Sequence, residues 1–186
     1  MKNLIRKCRS YRRFDESKRQ TKEELETLVE SARFSPCAGN MQRLRFRLVH
    51  EKEECEYLFG QLAWAGYLKD WPGPGEGERP TSYILILSGE DRSAMLDMDI
   101  GIAAQSIMLT AVSEGLGGCM IGSFHRERTD ARFATEDYRV RLVLALGVPV
   151  ERVELEDAAD GDIHYHRLPD GTHRVPKLPL DTLILK

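Results

Sequence analysis

Residues 99–115 read Asp99-Ile100-Gly101-Ile102-Ala103-Ala104-Gln105-Ser106-Ile107-Met108-Leu109-Thr110-Ala111-Val112-Ser113-Glu114-Gly115. Ile100, Ala103, Ala104, Ile107, Met108, Ala111 and Val112 recur at i, i+3, i+4, i+7, i+8, i+11 and i+12, the period of an α-helix with one apolar face. Gly115 stands where a left-handed C-cap belongs. A helix this apolar needs other elements to cover it.

Those elements lie on both sides of it in the chain. Downstream, Cys119-Met120-Ile121 reads as a short strand ending at Gly122, residues 129–133 as a short helix, and residues 141–147, with the apolar run Leu142–Leu146, as a buried strand. Upstream, residues 83–88 form a second buried-strand candidate. Residues 71–80 hold three Pro and three Gly and read as a loop. Residues 51–67 are predicted helical, with Leu58, Leu62 and Ala65 inward. Leu44-Arg45-Phe46-Arg47-Leu48 alternates strictly, as a half-buried strand does. Thr21-Lys22-Glu23-Glu24 is a capping box opening a helix through Leu25, Leu28, Val29 and Ala32. Ser35-Pro36 stops that helix, because the residue before proline avoids helical angles. A first helix spans residues 2–8.

Residues 151–181 are polar and loop-rich, with a turn at Pro169-Asp170-Gly171-Thr172 and a terminal strand expected at 182–185. A tail with so little periodicity is not expected to build a compact subdomain. It frays or docks, for instance on a second copy of the chain. Helices and strands mix without regular βαβ alternation, so the predicted class is α+β rather than doubly wound.

The 186 residues predict one domain at about 150 residues each. With 41% hydrophobic and 31% charged residues, global disorder is excluded. The longest unbroken apolar runs are five residues, so no membrane-spanning helix is expected, since one needs about 20. The first residues carry charge without an apolar stretch, unlike a secretory signal. Cys8, Cys37, Cys55 and Cys119 form no CxxC pair and read as free thiols of a cytoplasmic chain.

The net charge of −3 is uneven. Within residues 1–20, eight Lys/Arg face only Asp15 and Glu16, and the remainder is acidic. A local cationic segment on an acidic body points to an anionic ligand rather than to nucleic acid. Arg9-Ser10-Tyr11-Arg12-Arg13-Phe14 places guanidiniums and a hydroxyl where they can hold a phosphate.

Asn40 and Gln42, in the loop Ser35-Pro36-Cys37-Ala38-Gly39-Asn40-Met41-Gln42, each offer a donor and an acceptor suited to a heterocycle edge. The same residues also suit plain turn chemistry. Gly115-Leu116-Gly117-Gly118-Cys119-Met120-Ile121-Gly122-Ser123-Phe124 follows a helix, so it is not a dinucleotide-binding fingerprint. Gly122 instead lets a backbone N–H approach a ligand. His164 and His166 at i, i+2, with His173, are the residues a metal would use, but no carboxylate or cysteine completes a set and no metal is expected.

Taken in order, the segments at 9–14, 35–42, 99–106, 115–124 and 173–177 resemble the nitroreductase family of FMN-dependent oxidoreductases. The resemblance implies a mainly antiparallel sheet flanked by helices around a long central helix. It implies an intertwined homodimer whose C-terminal tails, here about residues 151–186, are exchanged and pack on the partner subunit. Arg9, Ser10 and Arg12 would carry over to the phosphate and ribityl contacts of FMN, with Arg12 also near N1 and O2 of the flavin. Cys37, Asn40 and Gln42 would approach from the other subunit. Gly122 and Ser123 would lie beside the ring, and Lys177 would assist the phosphate. Lys69 or Asp70 would face the pyrimidine edge, and Trp64, Tyr67 and Trp71 would shape the acceptor cleft.

The implied activity is ping-pong hydride transfer from NADH or NADPH, through flavin, to a small acceptor such as a nitroaromatic or quinone. No side chain is assigned as an essential acid or base. Cys8 stands where the family commonly has a basic residue, Leu178 where it has an arginine, and Arg43 where it has a proline. The first two changes remove phosphate partners, with Arg43 or Arg174 as possible substitutes. The alternative implied activity is therefore a flavin-binding dimer without turnover.

Overall fold

The structure is a computed structural model that describes residues 1–90 and 93–185. The long helix, α4 (Ala94–Ser113), begins earlier than its apolar period because the Ser93 hydroxyl accepts from the Leu96 N–H. It ends at Glu114, and Gly115 takes the left-handed conformation at φ 80°. Over its most apolar window α4 has a mean hydropathy of 1.3, long and apolar enough to cross a membrane. Counting unbroken apolar runs missed this, because Asp97 and Asp99 interrupt the run without lowering the mean far. In the fold, Leu96, Ala104, Ile107, Met108 and Ala111 are buried in the core.

Helices on both sides cover one antiparallel sheet. Its strands are β1 (Arg45–Val49), β2 (Ser82–Ser88), β3 (Gly117–Ile121) and β4 (Arg139–Gly147), ordered β1-β2-β4-β3. Every residue of β2 is buried. That explains its unbroken apolar run. Ile84 and Ile86 pack in one cluster with Leu25 and Leu28 of α2 (Lys22–Arg33) and with α4. Tyr83, Leu85 and Leu87 pack in another with α3 (Lys52–Phe59) and Phe133 of α5 (Arg126–Phe133). α1 (Lys2–Lys7) forms as expected, and the capping box of α2 closes with Thr21 N–H on Glu24 at 2.7 Å.

Gly118 makes the close approach that β3 needs. A Cβ there would press on the Ala145 carbonyl oxygen and come within 2.9 Å of Met108 Cε. Gly118→Ala is expected to cost about 1–3 kcal/mol, as overpacking does, read as a lower denaturant midpoint.

Three expectations are corrected. The helix predicted over 51–67 stops at Phe59, with Gly60 as its C-cap. Beyond it Ala63 N–H bonds to Ser123 O and His125 N–H to Gln61 O, so tertiary pairing takes the backbone out of the helix. Leu58 and Ala65 are buried as expected, but Ala65 sits in a turn at φ 39°.

The tail, second, does build a sheet: β5 (Val153–Asp157), β6 (His166–Arg167) and β7 (His173–Lys177), ordered β5-β7-β6 with β5 parallel to β7. Hydrophobic periodicity misses it because cross-strand charges contribute to holding it. Glu154 faces Arg174 in register, at 2.8 Å. The predicted turn is present, with Gly171 at φ 85° and Leu168 N–H on Thr172 O. Third, a short helix, α6 (Leu180–Leu183), replaces the terminal strand. Residues 151–177 pack on their own chain through Glu151, Arg167 and His173, as described below.

Candidate functional site

The cationic segment after α1 is tied to β3. Ser10 bridges Gly118, and Tyr11 N–H donates to Gly118 O at 2.9 Å. This brings Arg9 and Ser10 to a cavity of about 200 Å³ with Gln105, Gly118 and Met120. Arg12 borders a second, of about 180 Å³, with Trp64, Gly122, Ser123 and Tyr165. Met120 lines both, so the two cavities adjoin along β3 and are together called the β3 cleft below. Arg9 Nη2 donates to Ile5 O at 2.8 Å, while its Nε is buried and without a partner among the described residues. A Cβ built on Gly122 meets nothing within 4 Å, so the cleft is open at that end.

Not all of the N-terminal charge faces this cleft. Arg13 forms a two-pronged pair with Glu78, its Nε 2.7 Å from Oε2. Lys18 pairs with Asp15 at 3.4 Å.

Arg12 is held from several sides. Its backbone N–H donates to the Glu151 carboxylate. Its Nη1 lies 3.3 Å from Ser10 O and 3.4 Å from His173 Nε2. Its guanidinium sits over the Tyr165 ring, 5.1 Å from the centroid. Glu151 is itself buried and accepts from Arg167 Nη2 at 3.2 Å. Tyr165 packs against His173 and Tyr67 at ring separations of 5.2 and 4.8 Å.

Burial, with the Arg12 and Arg167 guanidiniums beside it, pushes His173 down from 6.5 to about 4. The folded state therefore holds the ring neutral where the unfolded chain protonates it. This stability is complete above about pH 6.5 and is lost as pH falls toward 4. Denaturation at stepped pH is expected to show a loss of up to about 1.4 kcal/mol per pH unit in that window, absent in His173→Gln.

The loop of Cys37, Asn40 and Gln42 lies elsewhere. These residues line a cavity of about 530 Å³ with Phe34, Phe46 and Ala103, which shares no lining residue with the β3 cleft. Ala38 N–H donates to the buried Asp99 at 2.8 Å, and Asp99 pairs with Arg43 at 3.2 Å. Asn40 and Gln42 take positive φ, 52° and 50°, and their side chains approach each other at 3.4 Å. Turn chemistry is thus present at both.

Lys177 is exposed at the end of β7, opposite Asp157, and lines neither cavity. Lys69 and Asp70 are exposed and line neither as well. Trp64 lines the cleft, Tyr67 supports Tyr165, and Trp71 lies under Arg167 at 4.6 Å.

Burial raises the Cys8 thiol, so it supplies no charge where a cation was looked for. Neither substitute stands free: Arg43 holds Asp99, and Arg174 holds Glu154. The three histidines do not converge, since His164 bonds Asp162 at 2.5 Å while His173 is buried beside Arg12. Among the described residues no group of three or more His, Cys, Asp or Glu is placed to hold a metal ion.

Sequence reasoning missed Glu151, Tyr165 and Arg167, which carry no spacing signal. His173 was noticed only as one of three histidines from which no metal site was expected, not for its contact with Arg12. A larger cavity, about 930 Å³, opens between α5 and β4, but its Arg141 pairs with Asp97 and its Arg139 with backbone carbonyls.

Fold and site together define an α+β protein with a cation-bearing cleft along its glycine-rich strand. The model of the nitroreductase family matches residues 5–148, and the chain belongs to that family. No curated protein sequence matches it. Solved structures share the fold. One, an FMN-dependent nitroreductase from Clostridium difficile R20291, has a TM-score of 0.67 at 20% identity, covering 91% of this chain and 99% of that one. A nitroreductase family protein from Clostridium difficile 630 gives 0.64 at 22%, covering 81% and 85%. A nitroreductase-like protein from Streptococcus mutans gives 0.67 at 15%, covering 80% and 88%.

Proposed function

We propose that the chain is an FMN-dependent oxidoreductase, passing hydride from NADH or NADPH to a small planar acceptor such as a quinone or nitroaromatic. The observation that carries this is the Ser10–Gly118 bridge, which ties Arg9 and Ser10 in one cavity to the adjoining cavity of Arg12, Gly122 and Ser123 along β3. The donor set fits an anionic, ring-bearing cofactor: a buried, unpartnered Arg9 Nε at one end and a fixed guanidinium at the other.

When bound, FMN supplies the hydride-accepting and hydride-donating centre that no side chain offers. Arg9 and Ser10 would hold its phosphate and ribityl chain; Lys177, which lines neither cavity, is not placed to assist them within the same chain. Arg12 would set positive charge beside the flavin, where reduction adds negative charge. Gly122 and Ser123 would lie beside the ring, with no Cβ in the way at Gly122. Reductant and acceptor use this cleft in turn, which is the basis for ping-pong kinetics.

Cys37, Asn40 and Gln42 act on the cleft of a second subunit, in keeping with their separate cavity. A homodimer is supported by apolar side chains left in solvent. Phe34 is 71% exposed and Met98 58%, with Met41, Met95 and Ile102 nearby in sequence. The end of the tail adds Leu180, Leu183, Ile184 and Leu185, which suit exchange onto the partner. Sedimentation is expected to give the mass of two chains.

The deciding experiment adds FMN to purified protein and then NADH or NADPH without oxygen. A bound flavin that bleaches, and recovers its colour with benzoquinone, is the expected result. Protein that takes up no FMN would refute the reading. The alternative, a flavin-binding dimer without turnover, is favoured by the neutral Cys8 and the engaged Arg43 and Arg174; it predicts bound flavin that neither nicotinamide bleaches.

A further inference from the structure

We propose that His173 and Tyr165, both from the tail, are positioning residues that fix the Arg12 guanidinium toward the β3 cleft. The inference rests on the flavin reading of that cleft and adds to it how the charge is held.

Arginine has only donors, so the 3.4 Å contact between Arg12 Nη1 and His173 Nε2 is a hydrogen bond only while Nε2 is unprotonated. The ring proton then sits on Nδ1, which is buried and without a partner among the described residues. A buried N–H left unpaired works against folding. A ring retained at that cost is explained by what its other nitrogen does. The Tyr165 face meets the same guanidinium at 5.1 Å. Tyr165 is fixed in turn, because its hydroxyl accepts from Tyr67 N–H at 3.2 Å and its ring packs on His173.

Glu151 anchors the Arg12 backbone. Arg12 is therefore held at its backbone by Glu151 and at its guanidinium by His173 and Tyr165 before any ligand arrives. A charge already in place stabilises a ring that gains negative charge on reduction more than it stabilises the oxidised ring.

The test reconstitutes the full chain with FMN and compares its two-electron potential in wild type, His173→Leu, Tyr165→Ala, His173→Gln and Tyr165→Phe. The Leu and Ala changes are expected to weaken binding of reduced relative to oxidised flavin about tenfold, a potential lower by about 30 mV. The Gln change keeps an acceptor near Nε2 and the Phe change keeps the ring, so both are expected to stay near wild type. Unchanged potentials in the Leu and Ala variants would overturn the proposal. Should His173→Leu fail to fold, the Ala and Phe variants of Tyr165 carry the comparison. A second measurement needs no flavin: the Arg12 Nε–H signal in nitrogen-15 NMR of the free protein. It is expected to be sharp and slowly exchanging in wild type and averaged in Tyr165→Ala. A mobile wild-type guanidinium overturns the positioning role. A fixed guanidinium in protein that takes up no FMN upholds it and overturns the flavin reading alone.

Discussion

Arg12→Leu is expected to lower turnover of FMN-loaded protein with NAD(P)H and quinone by about 10²–10³-fold, the scale of losing one preorganised donor at a site where charge develops. Arg12 is the guanidinium that borders the open end of the cleft beside Gly122 and Ser123. The fold survives the change, because the Arg12 contact that anchors Glu151 is made by the backbone N–H, which leucine keeps. His173 Nε2 loses its donor, and a buried acceptor left unpaired costs about 1–3 kcal/mol. The effect should appear in kcat and kcat/KM well below the thermal midpoint, which itself falls by several degrees. Arg12→Lys keeps the charge but not the planar fork and is expected to fall between. Unchanged turnover in the leucine variant would remove Arg12 from the chemistry.

Glu151→Leu is expected to cost about 3–5 kcal/mol of stability, the penalty of removing one member of a buried pair. The Glu151 side chain is 1% exposed and that of Arg167 20%, so the guanidinium left behind remains largely out of water. The Arg12 N–H loses its acceptor in the same step. Glu151→Gln keeps an acceptor for that N–H and loses only the charge, so its cost is smaller. Urea unfolding separates the two variants. The loss should be accompanied by release of the tail, seen as faster proteolysis after residue 151. A leucine variant as stable as wild type would show that the Arg12–Glu151–Arg167 cluster does not hold the tail.

Much of the fold is legible because local rules and burial agree there. The period of residues 100–112 needs an apolar covering on one side, and α4 has it. Thr21 and Glu24 form a local reciprocal cap that depends on nothing distant. Where the backbone finds partners far away, local rules fail. Residues 60–67 carry a helical pattern, yet Ala63 and Gln61 bond the segment after β3. Residues 153–177 lack a hydrophobic pattern, yet Glu154 and Arg174 pair across two strands.

The site divides the same way. Arg9, Ser10 and Arg12 are adjacent, so their shared chemistry shows in the sequence. Their placement beside Gly122 follows from the Ser10–Gly118 bridge, a contact across about a hundred residues. Glu151, Tyr165 and His173 reach Arg12 only through the folded tail.

By itself, then, the sequence determined the α+β class, the central helix, the two buried strands and the anion-seeking segment, since each depends on neighbours within a few residues. Tertiary structure alone decided that Arg13 serves Glu78 while Arg12 faces the cleft, that Asn40 and Gln42 line a different cavity, and that His173 is buried as a neutral support for an arginine. The physical reason is common to all three: a side chain's charge and direction are set by what desolvates and pairs with it, and those partners are distant in the chain.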